Sequence, residues 1–245
     1  MPVKAEKTME QYYKIAGLIT KMDTFGRTAE QAKDYLTAYP GYFDIDVQPK
    51  KKRFYEMYPQ STEDMAEYMC TGASFYRQLL NFGGFMLHSS AVVVDGKAYL
   101  FTADSGTGKS THTKLWLEKF GQRAYILNDD KPALRREADG WFAYGTPWSG
   151  KHDISVDARV PVAGVAVLER SEENTIERIS CVQAVHGILK QVNRPRAAEY
   201  RVKLLVLLDQ LITEVPVWKL CCNQNIAAAT VSYEAMSRGE KYYED

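Results

Sequence analysis

Nine consecutive residues, Ala103-Asp104-Ser105-Gly106-Thr107-Gly108-Lys109-Ser110-Thr111, combine backbone freedom, a lysine and hydroxyls in the order that a polyphosphate needs. The stretch follows G-x-x-x-x-G-K-[ST] with Ala103 in place of the first glycine. Gly106 and Gly108 let the chain turn tightly enough for backbone N–H groups to converge on phosphate oxygens. The following helix start adds positive potential. Lys109 brings a mobile point charge for the β and γ phosphates, and Ser110 a hydroxyl for Mg²⁺. Asp104, Ser105, Gly106, Thr107, Gly108, Lys109, Ser110 and Thr111 are therefore the candidate nucleotide-binding residues. Their context agrees: Lys97 to Phe101 reads as a strand and Thr113 to Phe120 as a helix.

A second constellation is Asp129-Asp130, at the end of the short apolar run Ala124 to Leu127, about twenty residues after Lys109. Carboxylates at the carboxyl end of a strand are where a phosphoryl-transfer enzyme holds its metal, and two neighbours can divide metal binding from proton acceptance. His88, in His88-Ser89-Ser90, lies in the strand before the loop; by itself a strand histidine reads as structural. The turn-rich Gly145-Thr146-Pro147-Trp148-Ser149-Gly150-Lys151 presents Lys151 and His152 on a loop suited to closing a site. Lys151 and Arg159 are the candidate γ-phosphate contacts. Trp148 reads as packing under that loop, with stacking on a base as the rival.

The elements that must position these residues follow from pattern. Phe85 to Val94 and Lys97 to Thr102 flank Asp95-Gly96, a strong hairpin signal. A second hairpin joins Ala133–Glu137 to Trp141–Gly145. Val160 to Leu168, Thr175 to Ile179 and Val215 to Cys221 read as strands; Cys181 to Gln191, Ala197 to Leu211 and Ile226 to Met236 as helices. Upstream, Tyr13 to Ile19 and Phe43 to Val47 read as strands. Thr28 to Ala38 reads as a helix capped by Thr28, and Lys50 to Arg53 as a solvated basic turn. A helix opens at Ser61 with Asp64 completing its capping box and runs to Leu80. So many hairpins around one glycine-rich loop predict an α/β fold with a mixed sheet, not a purely parallel one. The expected division is a smaller α/β region over 1–84 and a nucleotide-binding domain over 85–245.

Composition narrows the function classes. The 245 residues carry 31 Lys+Arg against 31 Asp+Glu, a formal charge of zero, without the basic excess of a nonspecific nucleic-acid binder. The four cysteines have no zinc-site spacing and read as thiols of a reducing cytoplasm, with adjacent Cys221 and Cys222 as ordinary strand residues. Met1 to Glu10 lacks an apolar signal core, and Val202 to Ile212, the most apolar stretch, is interrupted by Lys203 and Asp209 and too short to span a bilayer. No nucleic-acid or membrane partner is expected.

In order and kind, His88, the Asp95-Gly96 hairpin, Ser105-Gly106-Thr107-Gly108-Lys109-Ser110 and Asp129-Asp130 resemble the C-terminal domain of HPr serine kinase/phosphorylase, related in fold to phosphoenolpyruvate carboxykinase. The likeness covers roughly Phe85 to Ser180, and the tail loosely. It implies a core of the HPr kinase/carboxykinase type, ATP and Mg²⁺ as cofactors, and a protein or peptide substrate carrying the acceptor hydroxyl. It makes Lys109 and Ser110 phosphate and metal contacts, Asp129 the base, Asp130 a metal ligand, and His88 a support for the base. The HPr kinase signature L-E-x-R-G-[LM]-G-I-I-N is absent; Ala143 to Lys151 stands roughly in its place without its Glu or Arg, which leaves HPr recognition and a phosphorylase reaction open. The expectation is a kinase acting on a serine hydroxyl. A small-molecule kinase and a nucleotide sensor without transfer are the alternatives, and acceptor, base preference and oligomeric state are not legible.

Overall fold

A computed structural model describes residues 10–238, so of the Met1–Glu10 stretch all but Glu10 lies outside the described residues. In chain order the elements are β1 (Tyr12–Ile15), β2 (Leu18–Lys21), α1 (Gly26–Gln31), β3 (Leu36–Thr37), β4 (Ile45–Asp46), α2 (Lys51–Met57), α3 (Glu63–Leu79), β5 (Gly84–Met86), β6 (Ser89–Val94), β7 (Lys97–Thr102), α4 (Lys109–Phe120), β8 (Ala124–Asn128), β9 (Ala133–Glu137), β10 (Gly140–Tyr144), β11 (Arg159–Arg170), β12 (Thr175–Arg178), α5 (Cys181–Leu189), α6 (Ala198–Glu214), β13 (Val217–Cys222) and α7 (Ala227–Arg238). The chain is mixed α/β, with a large mixed sheet as expected and a separate four-stranded sheet ordered β3-β1-β2-β4.

The large sheet positions the site. β6 lies between β7 and β8 and is antiparallel to both, so β7 and β8 run the same way without touching. β7, β11 and β13 are parallel neighbours, and β12 adds antiparallel to β13. β11 changes partner along its length. Arg159 to Pro161 pair with β10, Val162 onward with β7, and Val165 onward with β13. Through β10 the sheet continues to β9 and β5. The β6–β7 turn uses Asp95 and Gly96 at φ +51° and +74°, the left-handed pair that a two-residue hairpin needs.

Strand periodicity explains the layers. Val92, Val94, Tyr99 and Phe101 point to one face and pack with Trp116 of α4 and Ala228 and Met236 of α7. Ala91, Val93, Ala98 and Leu100 point to the other and pack with Ile188 of α5 and Leu204, Leu208 and Leu211 of α6. A third core joins residues 10–82 to β9, β10 and the loop after them: Tyr13, Ile15, Ile45, Phe75 and Leu79 pack with Ala133, Phe142, Tyr144 and Trp148.

Several local expectations are corrected. Tyr13 to Ile19 is a hairpin, because Ala16 and Gly17 adopt left-handed conformations and turn the chain. The helix expected over Thr28 to Ala38 ends at Gln31 and is entered from Phe25; Thr28 is buried inside it, and the chain continues through a 3₁₀ turn into β3, which pairs with β1. Phe43 to Val47 yields only Ile45–Asp46 as strand. The Lys50–Arg53 run opens α2, where Lys51 Nζ lies 2.9 Å from the buried carboxylate of Glu67. Thr62, not Ser61, caps α3 by accepting from Met65 N at 3.2 Å. Phe85 to Val94 breaks at Leu87, which bridges to Val192, so β5 joins β9 while β6 joins β7. Tertiary pairing overrides local pattern in each case.

The α4–α7 core encloses a polar group. His112 is 2 % exposed. Its Nε2 accepts from Trp116 Nε1 at 3.1 Å, which leaves the Nδ1 proton facing Cys222 Sγ at 3.8 Å. Burial pushes its pKa down to about 4. The unfolded chain takes up this proton near 6.5, the folded chain only near 4. Stability contributed by His112 is thus complete above about pH 6.5 and falls as pH drops through the window between. Urea unfolding at pH 7 and pH 5 should show a loss of about 2 kcal/mol at the lower pH, and His112→Gln should flatten that difference. An unchanged difference in the variant would assign it to another group.

Candidate functional site

Strand direction gathers three separated segments at one end of the sheet. The 103–111 loop leaves the C-terminal end of β7, Asp129-Asp130 leave that of β8, and antiparallel β6 begins there with His88-Ser89-Ser90 just at its start. The C-terminal ends of β11 and β13 reach the same edge. Carboxyl ends of parallel strands are where open α/β sheets place ligands.

The glycine-rich loop has the backbone that its sequence requires. Gly106 and Gly108 sit at φ +79° and +126°, and a Cβ on either would point into open space. Gly108 enters α4 without a side-chain cap, and the first helical amide bond there is His112 N to Gly108 O at 2.9 Å. The N–H groups of the first turn are therefore left for a ligand. Lys109 is folded beneath the loop, its Nζ donating to Ala103 O at 2.8 Å and Asp104 O at 3.4 Å. Burial lowers the lysine's pKa, and the nearby carboxylates of Asp130, Asp104 and Asp129 oppose that. Ser110 and Thr111 occupy the next two positions of the same turn.

Each carboxylate has its own partners. Asp129 Oδ1 accepts from Ser90 Oγ at 2.6 Å, and Ser90 Oγ lies 2.8 Å from Thr113 Oγ1, which in turn donates to Ser110 O at 3.3 Å. Asp129 is thereby held beside the turn of α4 that carries Ser110. Asp130 faces the opposite set: His88 Nε2 is 3.3 Å from its Oδ1 and Lys131 Nζ pairs with its Oδ2. The expected partnership of His88 with Asp129 is not what forms; His88 meets Asp130. Burial alone would raise the pKa of Asp130, but the His88 hydrogen bond and the Lys131 charge outweigh it and hold the carboxyl below its usual range.

A polar chain continues from Asp130 back to the loop. His88 Nδ1 lies 3.1 Å from Gln191 Oε1, and Gln191 Nε2 donates to Asp104 Oδ1 at 2.7 Å. The Asp104 carboxylate can only accept, which orients the Gln191 amide and makes His88 Nδ1 a donor. The other ring nitrogen, Nε2, is the one that faces Asp130.

Residues that pattern alone did not single out complete the site. Asn128, fully buried, organises the turn: its Oδ1 accepts from Asp130 N at 3.0 Å and Lys131 N at 2.7 Å, while its Nδ2 donates to Thr146 O at 3.0 Å. Its signal in the sequence was its position directly before the two aspartates. Arg170, the last residue of β11, donates to Thr107 O at 2.9 Å and to Gly106 O, propping the loop from beneath. A cleft of about 900 Å³ runs along the loop from Asp104 to Thr107, walled by Val167, Leu168 and Arg170 of β11 and by Ile179, Val182 and Gln183 on the α5 side.

The 146–153 loop reaches Asp130. Gly150, at φ +77°, lies so close that a Cβ would stand 2.8 Å from Asp130 Cβ. Lys151 is therefore adjacent, with an exposed side chain. Trp148 is wholly buried, stacked on Phe75 at 5.0 Å with Nε1 donating to Thr71 Oγ1 at 3.3 Å, so it packs under the loop and offers no face to a base. Arg159 sits at the N-terminal end of β11, the end of the sheet away from the loop, bound to Glu137 at 2.8 Å and Asp139 at 3.2 Å. It is corrected from a phosphate contact to a surface ion pair, because β11 runs parallel to β7 and carries its first residue to the far edge. Among the described residues no group of three or more His, Cys, Asp or Glu is placed to hold a metal by itself. Nor is any helix among them long and apolar enough to cross a membrane.

Comparison with protein-family profiles and with curated proteins finds no match. Among solved structures, the Hpr(Ser) kinase/phosphatase from Coxiella burnetii is similar over 62% of this chain and 97% of its own, at 12% identity and a TM-score of 0.38. A likeness of that extent carries no chemistry with it; the chemistry has to come from the side chains.

Asn128→Ala removes the bonds that hold Asp130 and Lys131 in their turn and leaves two half-buried amides without their partner. Chemical denaturation should show a loss of about 2–4 kcal/mol. A loss within about 0.5 kcal/mol, the scale of a neutral surface change, would mean that the turn is held by other contacts.

Proposed function

We propose that this chain is an ATP- and Mg²⁺-dependent kinase that transfers a phosphoryl group to a hydroxyl, with serine of a protein or peptide as the acceptor. One observation carries the reading: a glycine-rich loop with a buried lysine at an uncapped helix start shares one sheet edge with two carboxylates whose partners differ. A nucleotide sensor has use for the loop and one carboxylate. It has no use for a second carboxylate held ionised beside a histidine and a lysine. The four free thiols suit a reducing compartment such as the cytoplasm.

The residues fit the cofactors. The free first-turn amides of α4, the Gly106–Gly108 backbone and Lys109 would hold the phosphates, with Asp104, Ser105, Thr107 and Thr111 on the rim. Ser110 and Asp129, both linked to the Ser90–Thr113 hydroxyl pair, would hold Mg²⁺, which would supply charge neutralisation of the phosphates. The apolar walls of the adjoining cleft suit a nucleoside.

The chain's own residues then do two things. Lys109 gives up its bonds to the Ala103 and Asp104 carbonyls and places its ammonium against developing negative charge. Asp130, ionised and fixed by His88 and Lys131, accepts the proton of the acceptor hydroxyl as that oxygen is phosphorylated. This exchanges the roles of the two aspartates relative to the sequence expectation, and the reason is His88, which touches Asp130 alone.

Single-turnover transfer and nucleotide affinity separate the assignments. Asp130→Asn should lower transfer by about 10²–10⁴ with nucleotide binding retained. Asp129→Asn should instead raise the Mg²⁺ concentration needed for binding. Lys109→Ala should weaken nucleotide binding by about 2–3 kcal/mol, the scale of a charge-assisted contact. If Asp130→Asn transfers at the wild-type rate and Asp129→Asn does not, the roles revert to the sequence assignment. If wild type phosphorylates no hydroxyl in a lysate supplied with labelled ATP, the sensor reading replaces the kinase.

A further inference from the structure

Two helices on one face of the large sheet are apolar on both sides. Towards the strands, α5 and α6 bury Ala184, Ile188, Leu204, Leu208 and Leu211. Towards solvent, Val182 of α5 and Val202, Leu205 and Val206 of α6 are each more than half exposed. Between the two helices lies a groove of about 180 Å³, lined by Val185 and Leu189 from α5 and by Leu205, Asp209 and Ile212 from α6. A single exposed leucine needs no explanation, but several large apolar side chains around an apolar groove mark a surface that another surface covers.

Helical spacing decides what fits there. Ala198, Arg201, Leu205, Asp209 and Ile212 recur every three or four residues, so they form one stripe along α6, and all are exposed or half-buried. Leu205 stands at the middle of the stripe. Arg201 lies four residues before it and Asp209 four after; Ala198 lies seven before and Ile212 seven after. An identical helix laid antiparallel across Leu205 therefore sets each Arg201 against an Asp209 and each Ala198 against an Ile212. The stripe is complementary to itself under a two-fold rotation, which is what a closed pair of identical chains requires. Both charges are available for it. Among the described residues neither Arg201 nor Asp209 has an ion-pair partner. Arg201 Nη1 donates to Arg196 O at 2.7 Å, and Asp209 is met at its backbone carbonyl by Thr213 Oγ1 at 2.8 Å. A foreign partner has no use for this symmetry, whereas a second copy uses every member of the stripe.

We propose that a second copy of this chain covers the α5–α6 face, with α6 antiparallel to its counterpart about a two-fold axis at Leu205 and the apolar groove at the flank of the contact. Helix α5 also walls the cleft beside the glycine-rich loop with Val182 and Gln183, so interface and cleft share one helix. The inference goes beyond the kinase reading and does not depend on it, since it uses no residue of the loop or of the aspartate pair.

Sedimentation velocity on the full chain, from about 1 to 100 µM, tests this over the range in which an interface of modest size assembles. Wild type should pass from monomer to dimer within that range. Leu205→Asp places two carboxylates against each other at the axis and should leave monomer only. Arg201→Asp and Asp209→Arg should each raise the dimer Kd by about 10- to 30-fold, because every dimer then loses two attractive pairs and gains two repulsive ones. The double variant Arg201→Asp/Asp209→Arg should bring the Kd back to within about three-fold of wild type, since the exchanged charges again oppose each other. Circular dichroism and urea midpoints should match wild type throughout, the substituted side chains being exposed. A wild type that stays monomeric at the highest concentration would overturn the proposal. So would a dimer that survives Leu205→Asp, or a double variant that associates no more tightly than the single ones.

Discussion

Everything at this site depends on an antiparallel strand lying between two strands that run the same way. Because β6 separates β7 from β8 and opposes both, the loop after β7, the aspartates after β8 and the histidine before β6 emerge together. Residues 88, 103–111 and 129–130 are far apart along the chain, and backbone hydrogen bonds alone bring them to one edge. A parallel β7–β8 pair would have brought loop and aspartates together, but would have supplied no strand beginning at that edge to carry His88. The hairpin at Asp95-Gly96 makes the arrangement cheap, since a two-residue turn sets the β6–β7 register locally.

Within that frame, fixed polar groups differentiate two chemically identical side chains. Asp129 looks toward Ser90, Thr113 and the first turn of α4. Asp130 looks toward His88 and Lys131. Adjacent residues in a turn point in different directions, so one step along the chain exchanges a hydroxyl network for a histidine and a lysine. Asn128 enforces the turn by spending its whole amide on it, and Gly150 allows a second loop to close over it where any side chain would collide. Gln191 links the Asp130 side back to Asp104, so the glycine-rich loop and Asp130 share one hydrogen-bonded chain. Such a chain resists independent movement of its members.

Residues 10–82 pack against this site rather than standing apart from it. Their core is continuous with β9, β10 and Trp148, and α1 and α3 touch the 146–153 loop through Gln31, Tyr68 and Thr71. Trp148 shows why a conspicuous aromatic in a loop is ambiguous: its ring belongs to the Phe75 and Tyr76 cluster and glues the two parts together. Arg170 shows the converse, an unremarkable strand-end arginine whose guanidinium supports the glycine-rich loop.

The sequence by itself determined the features whose physics is local. The Gly106 and Gly108 turn, the lysine and hydroxyl at the helix start, the Asp95-Gly96 hairpin and the alternating strands of a mixed sheet all follow from residue type at short spacing. The elements of the C-terminal part stand within a few residues of where periodicity puts them. Local pattern failed in the first 82 residues, where short strands and a six-residue helix are held by partners distant in sequence. It failed also for Arg159, whose distance from the loop is a matter of strand direction and not of spacing. Only the tertiary structure decided which aspartate His88 meets, that Asn128 builds the turn, and that Tyr68 of α3 meets Gly150. Those are contacts across 42, 2 to 18 and 82 residues of chain. The turn around Asn128 is the one that neighbouring residues could have announced. For the others, pairing across the sheet and packing of α1 and α3 set the distances, and no short-range preference encodes them.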